Sequence, residues 1–320
     1  MSELSPWTLL IALLFAFCLD RWFGEPAPRW HPVVWMGKYL GWIGARIAPR
    51  EMAAGRDWRA FSAGALAWYG GAALVVLAAL LLQSALSGLD EAVAGLLLGA
   101  LLKPMLAWRM LRGEVVAVEE ALAESLDAGR RRLGWLVSRE VMQLDEGQVR
   151  ESAIESLAEN FNDSVVAPVF WFVLAGLPGA ALYRFANTAD AMWGYRGMRA
   201  GLCWEWAGKW AARADDVLSW LPARLAALLL AAGARGLPWR RLRSEARKTA
   251  SPNSGWPMAA MALALGVRLR KSGVYALNPD GAAPTPAHTR RAIVLAVLAL
   301  AWLLVLACAM LFVLAQEQLW

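Results

Sequence analysis

From Phe61 to Leu86 the chain runs without a single Asp, Glu, Lys or Arg. A stretch that long and that apolar has few stable fates except a helix across a bilayer, which needs about 20 mostly apolar residues. Residues 91–111 predict a second crossing, joined to the first by the acidic turn Ser87-Gly88-Leu89-Asp90, and residues 292–315 a third. Residues 6–23 predict another, with Trp22 and Phe23 at the interface. Across 320 residues the apolar share is 59 % and the mean hydropathy +0.41, too oily for an average soluble domain. No strand alternation or fixed-period repeat is evident. The expected fold is therefore all-α: a polytopic integral membrane protein in a single membrane domain, residues 1–320.

Orientation follows from where Lys and Arg fall in the short loops. The turn at 87–90 has neither, whereas 21–60 holds Arg21, Arg29, Lys38, Arg46, Arg50, Arg56 and Arg59. That places 21–60 in the cytoplasm, together with 109–163, 235–250 and 268–291, and the C-terminus outside. The N-terminus lacks a basic n-region and a small-residue cleavage site, and reads as a retained anchor. Residues 165–183 and 217–232 resist the same treatment. Were both full crossings, their link would lie outside, yet it carries Arg184, Arg196, Arg199, Lys209 and Arg213. A re-entrant helical hairpin turning at Ala175-Gly176-Leu177-Pro178-Gly179 is the expected solution. Residues 113–163 read as cytoplasmic amphipathic helices with apolar faces on the membrane or on other helices.

The net charge of +6, from 32 Lys and Arg against 26 Asp and Glu, is explained by cytoplasmic loops; no basic run interleaves with aromatics as in nucleic-acid binding. The three cysteines are far apart, and two histidines make a His-rich zinc or haem centre improbable. Phosphate-loop, nucleophile-elbow and HExxH patterns are absent. Oxygen ligands are plentiful. Glu155, Glu159 and Asp163 recur every four residues, with Asn160 beside them, so one helix would stack like charges that call for a cation. A solvated acidic face is the plain alternative. Asn187 and Asp190 lie one turn apart before Tyr195, and carboxylates from the two ends of the hairpin suit Mg²⁺. Helix capping is the plain alternative here. Asp20, Glu25 and His31 sit on a proline-rich turn below the first span. Arg224, in an apolar segment, needs an anionic ligand or a partner such as Asp215 or Asp216. The loop with Ser251, Asn253 and Trp256 enters a helix, and suits either an anion or an ordinary cap. Aromatic belts account for the 19 Trp.

The polar motifs fall in a specific order: Asp20, Gly24-Glu25-Pro26, His31-Pro32-Val33; Glu155-Ser156, Glu159-Asn160, Asp163; Ala167-Pro168; Gly176, Pro178-Gly179. Then come Tyr183-Arg184, Asn187-Thr188, Asp190, Gly194-Tyr195; Asp215-Asp216, Pro222-Ala223-Arg224-Leu225; and Ser251-Pro252-Asn253, Gly255-Trp256-Pro257. From Asp20 to about Tyr275 this series resembles the CobD/CbiB family of cobalamin biosynthesis. Glu25, Ser164, Arg139-Glu140-Val141 and Arg270-Lys271 depart from the family pattern. The resemblance implies an enzyme of the bacterial cytoplasmic membrane, its site facing the cytoplasm, that uses ATP and Mg²⁺. The implied reaction joins aminopropanol or aminopropanol O-phosphate to the free propionate of adenosylcobyric acid. It implies Glu155, Glu159, Asn160 and Asp163 as catalytic residues and Asp163 and Asp190 as the metal pair. Asp20, His31, Asn187, Tyr195, Asp215, Asp216, Arg224, Ser251, Asn253 and Trp256 would contact substrates. Besides those substrates and the lipid bilayer, other membrane enzymes of late cobalamin assembly are implied partners. An AmpE-like regulatory protein and an ion-coupled transporter are the competing readings, the latter requiring midplane acids and inverted repeats.

Overall fold

The computed structural model describes residues 4–234 and 236–317, so the start of the N-terminal anchor and the last three residues of the polar tail lie outside the described residues. Helices come first in the chain: α1 (Pro6–Phe23), α2 (Pro32–Ile47), α3 (Trp58–Ala85), α4 (Glu91–Leu102), α5 (Trp108–Glu124), α6 (Leu126–Leu133), α7 (Glu146–Phe161) and α8 (Ala167–Trp193). A short hairpin, β1 (Met198–Arg199) with β2 (Leu202–Cys203), precedes α9 (Lys209–Leu218), α10 (Trp220–Gly233), α11 (Trp239–Ala246) and α12 (Gly255–Leu265). A second antiparallel hairpin, β3 (Leu269–Lys271) with β4 (Tyr275–Leu277), leads to α13 (Pro286–Glu317). The all-α expectation holds, with these two hairpins as small additions. Among the described residues, five helical stretches are long and apolar enough to cross a membrane: Pro6–Phe23, Trp58–Ala85, Glu91–Glu124, Glu146–Trp193 and Pro286–Gln316. Lys209–Leu218 with Trp220–Gly233 would make a sixth as one bent span.

Large apolar side chains stand exposed on α3, where Leu66 is 72 % and Leu81 63 % exposed. A row of large apolar side chains left open in this way belongs in hydrocarbon rather than water. On α13, Val294, Val305 and Leu306 are likewise exposed.

By internal contacts the chain divides into two units, Met1–Leu106 with Ala167–Leu218 and Ala307–Trp320, and Ala107–Val166 with Ser219–Leu306. In the first, Ser5 caps α1 by accepting from the Thr8 N–H. α1 then packs tightly on α4, because Gly95 and Gly99 offer no side chain. A Cβ at Gly95 would lie 2.6 Å from Ile11, and one at Gly99 2.6 Å from the Ala12 carbonyl. This small-xxx-small spacing lets two backbones approach where apolar attraction alone gives little drive. Residues 91–111 are not one helix as expected: Pro104 lacks an N–H, and the chain passes through a 3₁₀ turn at Lys103–Met105 before α5.

The expected re-entrant turn falls within α8, at Ala175 (φ −140°) and Gly176 (φ +63°). Along a straight helix, Gly179 and Trp171 would be about 12 Å apart. Instead, a Cβ at Gly179 would collide with the Trp171 carbonyl, so the chain doubles back between them. Gln83 of α3 stabilises the reversal, accepting from the Leu177 N–H at 2.8 Å. That N–H opens the second half of the helix and has no intrahelical acceptor. The second half runs to Trp193, ten residues beyond the expected 183. Residues 217–232 divide at Ser219, leaving α10 at 14 residues, about 21 Å and too short to cross alone.

The second unit is built on Val118, Leu122, Leu133, Val149 and Ala153. Residues 113–163, expected as amphipathic helices with apolar faces on the membrane or on other helices, differ among themselves in burial. α5 is amphipathic, but α7 buries Glu151 and Glu155 as well as its apolar residues, so it is a central helix.

Replacing Gln83 with Leu keeps its volume but strands the Leu177 N–H, a loss of about 1–3 kcal/mol. The apparent unfolding midpoint of detergent-solubilised protein should fall, as read by a thermal unfolding scan. An unchanged midpoint would show that the cap contributes nothing.

Candidate active site

Glu151, fully buried on α7, is the anchor of the second unit's polar cluster. Arg268 Nε donates to it at 3.2 Å, Arg270 Nε and Nη2 at 3.0 and 3.1 Å, and the Arg270 backbone N–H at 3.0 Å. Two guanidinium groups and an amide thus compensate one buried carboxylate, as a charge out of water requires. The clamp fixes the β3–β4 hairpin on α7. Tyr275, on β4, is thereby held beside Glu155 and Glu159. Burial, and then the charge of Glu155, raise the Tyr275 pKa well above its ordinary 10.0, so its hydroxyl stays protonated and donates. Arg139 Nη2 lies 3.8 Å from Glu155 and donates to Ser152 Oγ at 2.6 Å. Lys271 adds positive charge near Glu155.

Further along α7, Asn160 donates to the Ser156 carbonyl and hydroxyl at 3.0 and 3.1 Å. A π-helical turn then begins, Asn162–Val166, so the strict every-four register that placed Asp163 under Glu159 does not continue. Asp163 accepts from Asn162 at 2.8 Å. Such π-turns are frequent at functional sites.

Arg224 belongs to the same unit, and its neighbours come from the 251–256 loop. It donates to Asn253 Oδ1 at 2.6 Å, to the Pro252 carbonyl at 3.1 Å and to the Trp220 carbonyl at 2.8 Å, while stacking near Trp220 and Trp256. The backbone N–H groups of Asn253, Ser254 and Trp256 are engaged locally. Ser251 Oγ accepts from the Asn253 and Ser254 N–H groups at 3.2 and 3.3 Å and braces the loop, whereas Ser254, at the start of α12, makes no side-chain capping bond.

The first unit assembles a second charged group. Lys103, at the Pro104 break, lies 3.2 Å from Asp20 and 2.9 Å from Glu25. Its side chain is 6 % exposed and that of Asp20 1 %. His31 caps α2, its Nδ1 accepting from the Val33 N–H at 3.3 Å. That leaves Nε2 to donate to Glu25 at 3.0 Å. Burial by itself would raise the Glu25 pKa, but hydrogen bonds from His31 and Lys103 outweigh it and hold the carboxyl below its ordinary 4.5. Elsewhere in this unit Asn187 reaches Asp215 at 3.5 Å, Asp216 lies 3.8 Å from Arg213, and Arg199 covers the Tyr195 ring.

The expected site residues therefore form local groups: Asp20 with His31 and Asn187 with Asp215 in the first unit; Glu155 with Glu159, and Arg224 with Asn253 and Trp256, in the second. Asp163 and Asp190, the expected metal pair, belong to different units, and Asp190 accepts the Gly194 N–H through its backbone carbonyl at 2.7 Å. Among the described residues no group of three or more His, Cys, Asp or Glu side chains is arranged to hold a metal ion. Mg²⁺ is usually bound by one or two carboxylates plus substrate phosphates, a requirement the acids present can meet. Lys103, Tyr275, Arg139 and Glu151 were missed from the sequence. Of these only Lys103 carried a signal, a lone cation in an apolar stretch.

An α-helical, multi-pass membrane protein with buried acid clusters is the class that these features define. Residues 13–296 match the family described as CobD/Cbib protein, and the chain belongs to that family. It is 43 % identical to the Cobalamin biosynthesis protein CobD of Chromobacterium violaceum, over 86 % of this chain and 88 % of that one. It is 38 % identical to the Probable cobalamin biosynthesis protein CobD of Methanothermobacter thermautotrophicus, over 87 % and 88 %. Against the Stutzerimonas stutzeri CobD the figures are 40 % over 93 % and 97 %. No solved structure matches. Family and relatives together support a role in cobalamin biosynthesis.

Two outcomes follow from the charge clusters. Lys103→Met removes the partner of two buried or half-buried carboxylates and should cost about 3–5 kcal/mol, read as loss of folded protein on detergent extraction. Because folding lowers the Glu25 pKa, its stabilisation is complete above pH 4.5 and lost as pH falls through the folded value. Unfolding midpoints of wild type and Glu25→Gln should therefore differ at neutral pH and converge in acid below 4.5.

Proposed function

We propose that this chain is an acid–amine ligase of cobalamin assembly that joins aminopropanol or aminopropanol O-phosphate to the free propionate carboxylate of adenosylcobyric acid, with consumption of ATP. The observation that carries the reading is the α7 cluster, Glu155 and Glu159 beside a protonated Tyr275, in a chain of the CobD/CbiB family. A carboxylate is a poor acyl donor because it would have to expel oxide. Transfer of the γ-phosphoryl group of ATP to its oxygen, with ADP leaving, gives an acyl phosphate, and attack of the amine forms the C–N bond as phosphate leaves. Mg²⁺ would offset negative charge on the transferring phosphoryl group; Asp163 in the second unit and Asp190 in the first are each assigned as a carboxylate ligand for such an ion with substrate phosphate.

What the chain's own groups do follows from their chemistry. An amine attacks only as the free base, so its ammonium must first give up a proton. Glu155 or Glu159 accepts it, and Asn160 hydrogen-bonds the same substrate end. The Tyr275 hydroxyl cannot ionise near neutral pH and orients the carboxylate as a donor. Asp20, His31, Asn187, Tyr195, Asp215 and Asp216 are assigned to substrate contact from the first unit. Arg224, Asn253 and Trp256 are assigned to the wall of a site for anionic substrate groups, with Ser251 bracing its loop. The Lys and Arg distribution favours a site open to the cytoplasm of the bacterial inner membrane, where ATP is found.

Purified protein should form the amide only when ATP, the corrinoid acid and the amine are all present, detected by mass spectrometry. Glu155→Gln should lower kcat at least about 100-fold, and Asp163→Ala should abolish turnover without affecting membrane insertion. Full activity in either variant removes that residue from the site.

A further inference from the structure

The cleft between α10, α11 and the 249–256 loop has a composition that the acid cluster does not explain. Its volume is about 630 Å³, and its walls include Trp220, Arg224, Trp239, Arg243, Arg247 and Trp256. That volume lies within the range of about 300–1,000 Å³ typical of small-molecule sites. The guanidinium groups are not equivalent. Arg224 is occupied in building the wall: it stacks 4.6 Å from the Trp220 ring centre and 5.0 Å from that of Trp256, and its N–H groups hold Asn253 and Pro252. Arg243 and Arg247 are exposed at the mouth. Glu245 is the sole acid of α11, and it is taken by Lys248 at 2.7 Å and by the Asn278 N–H at 2.7 Å. Among the described residues, neither Arg243 nor Arg247 lies within ion-pair distance of a carboxylate. Arg240 and Lys248 extend the positive charge along the same rim. Trp239, 47 % exposed, lies 5.2 Å from Trp256 and offers an indole surface to a ligand.

Two uncompensated guanidinium groups beside an exposed indole match a ligand that carries both a phosphate chain and a flat ring. Arg pairs with phosphate oxygens in bidentate fashion, and a heteroaromatic ring stacks on Trp. We propose that this cleft binds a nucleoside polyphosphate, Arg243 and Arg247 taking the phosphates and Trp239 the base. The proposal rests on the nucleotide requirement of the ligation above and gives that nucleotide a place. A lipid phosphate would use the arginines but leave a cleft lined by three indoles without a role.

The test measures binding of ATP and of inorganic tripolyphosphate to detergent-purified protein by calorimetry. In parallel, the protein is reconstituted into nanodiscs with and without phosphatidylglycerol. Arg243→Gln/Arg247→Gln should weaken both soluble ligands at least about tenfold, since each lost phosphate contact is charge-assisted. Trp239→Leu should weaken ATP while sparing tripolyphosphate. Thermal midpoints equal to wild type would confirm that these exposed substitutions leave the fold intact, and Arg243→Lys/Arg247→Lys should restore part of the affinity. ATP binding unchanged in the glutamine double variant overturns the proposal, and leaves the ligase reading standing if amide formation still requires ATP. An effect confined to phosphatidylglycerol dependence assigns the cleft to lipid and overturns it equally. Amide formation without any nucleotide overturns the ligase reading itself.

Discussion

Glu151 is the group on which the second unit's chemistry depends. A carboxylate with no exposed surface survives only if its charge is compensated, and Arg268, Arg270 and a backbone N–H do so. Compensation of this kind also fixes position. Because both arginines sit on or just before β3, the ion pairs hold the β3–β4 hairpin on α7, and Tyr275 follows from the strand register opposite Lys271. Arg270 marks a departure from the family's usual pattern, yet in this protein it makes one of the closest contacts to the buried acid.

The same principle recurs among the apolar helices of the first unit. Lys103 stands where Pro104 interrupts the helix, and Asp20 and Glu25 meet it there. Gln83 meets a backbone N–H exposed by the break at Gly176. At Gly176 a backbone group freed by the break, and at Lys103 a buried charge, are each met by polar side chains from elsewhere in the chain, as a medium without water demands.

Much of the architecture could be read in advance because apolar length is a local property. α3 and α13 need only their own residues to declare themselves, and Gly176 with Pro178-Gly179 declared a turn. The break at Pro104 was overlooked because hydropathy averages over it. The burial of α7 was hidden for a different reason: its charged residues resemble those of a surface helix, and only the partners, Arg268 and Arg270 more than a hundred positions later, turn Glu151 into a core residue. Glu155 and Glu159 could be singled out by spacing; Tyr275 could not, since a tyrosine in a short polar hairpin carries no mark of what it will face. Ser251 and Arg224 were recognised as a pair of neighbourhoods, but the geometry shows them serving each other's loop and wall.

The bond between Gln83 and Leu177 spans 94 positions, and this separation orders events during synthesis. When α3 emerges from the ribosome, its glutamine has no amide to receive, and the amide that needs it has not been made. Leu177 lies in the fourth candidate span, so the doubled-back segment can receive this bond only after three earlier ones have been made. The polar group of α3 thus precedes its distant counterpart by one whole candidate span and most of the next.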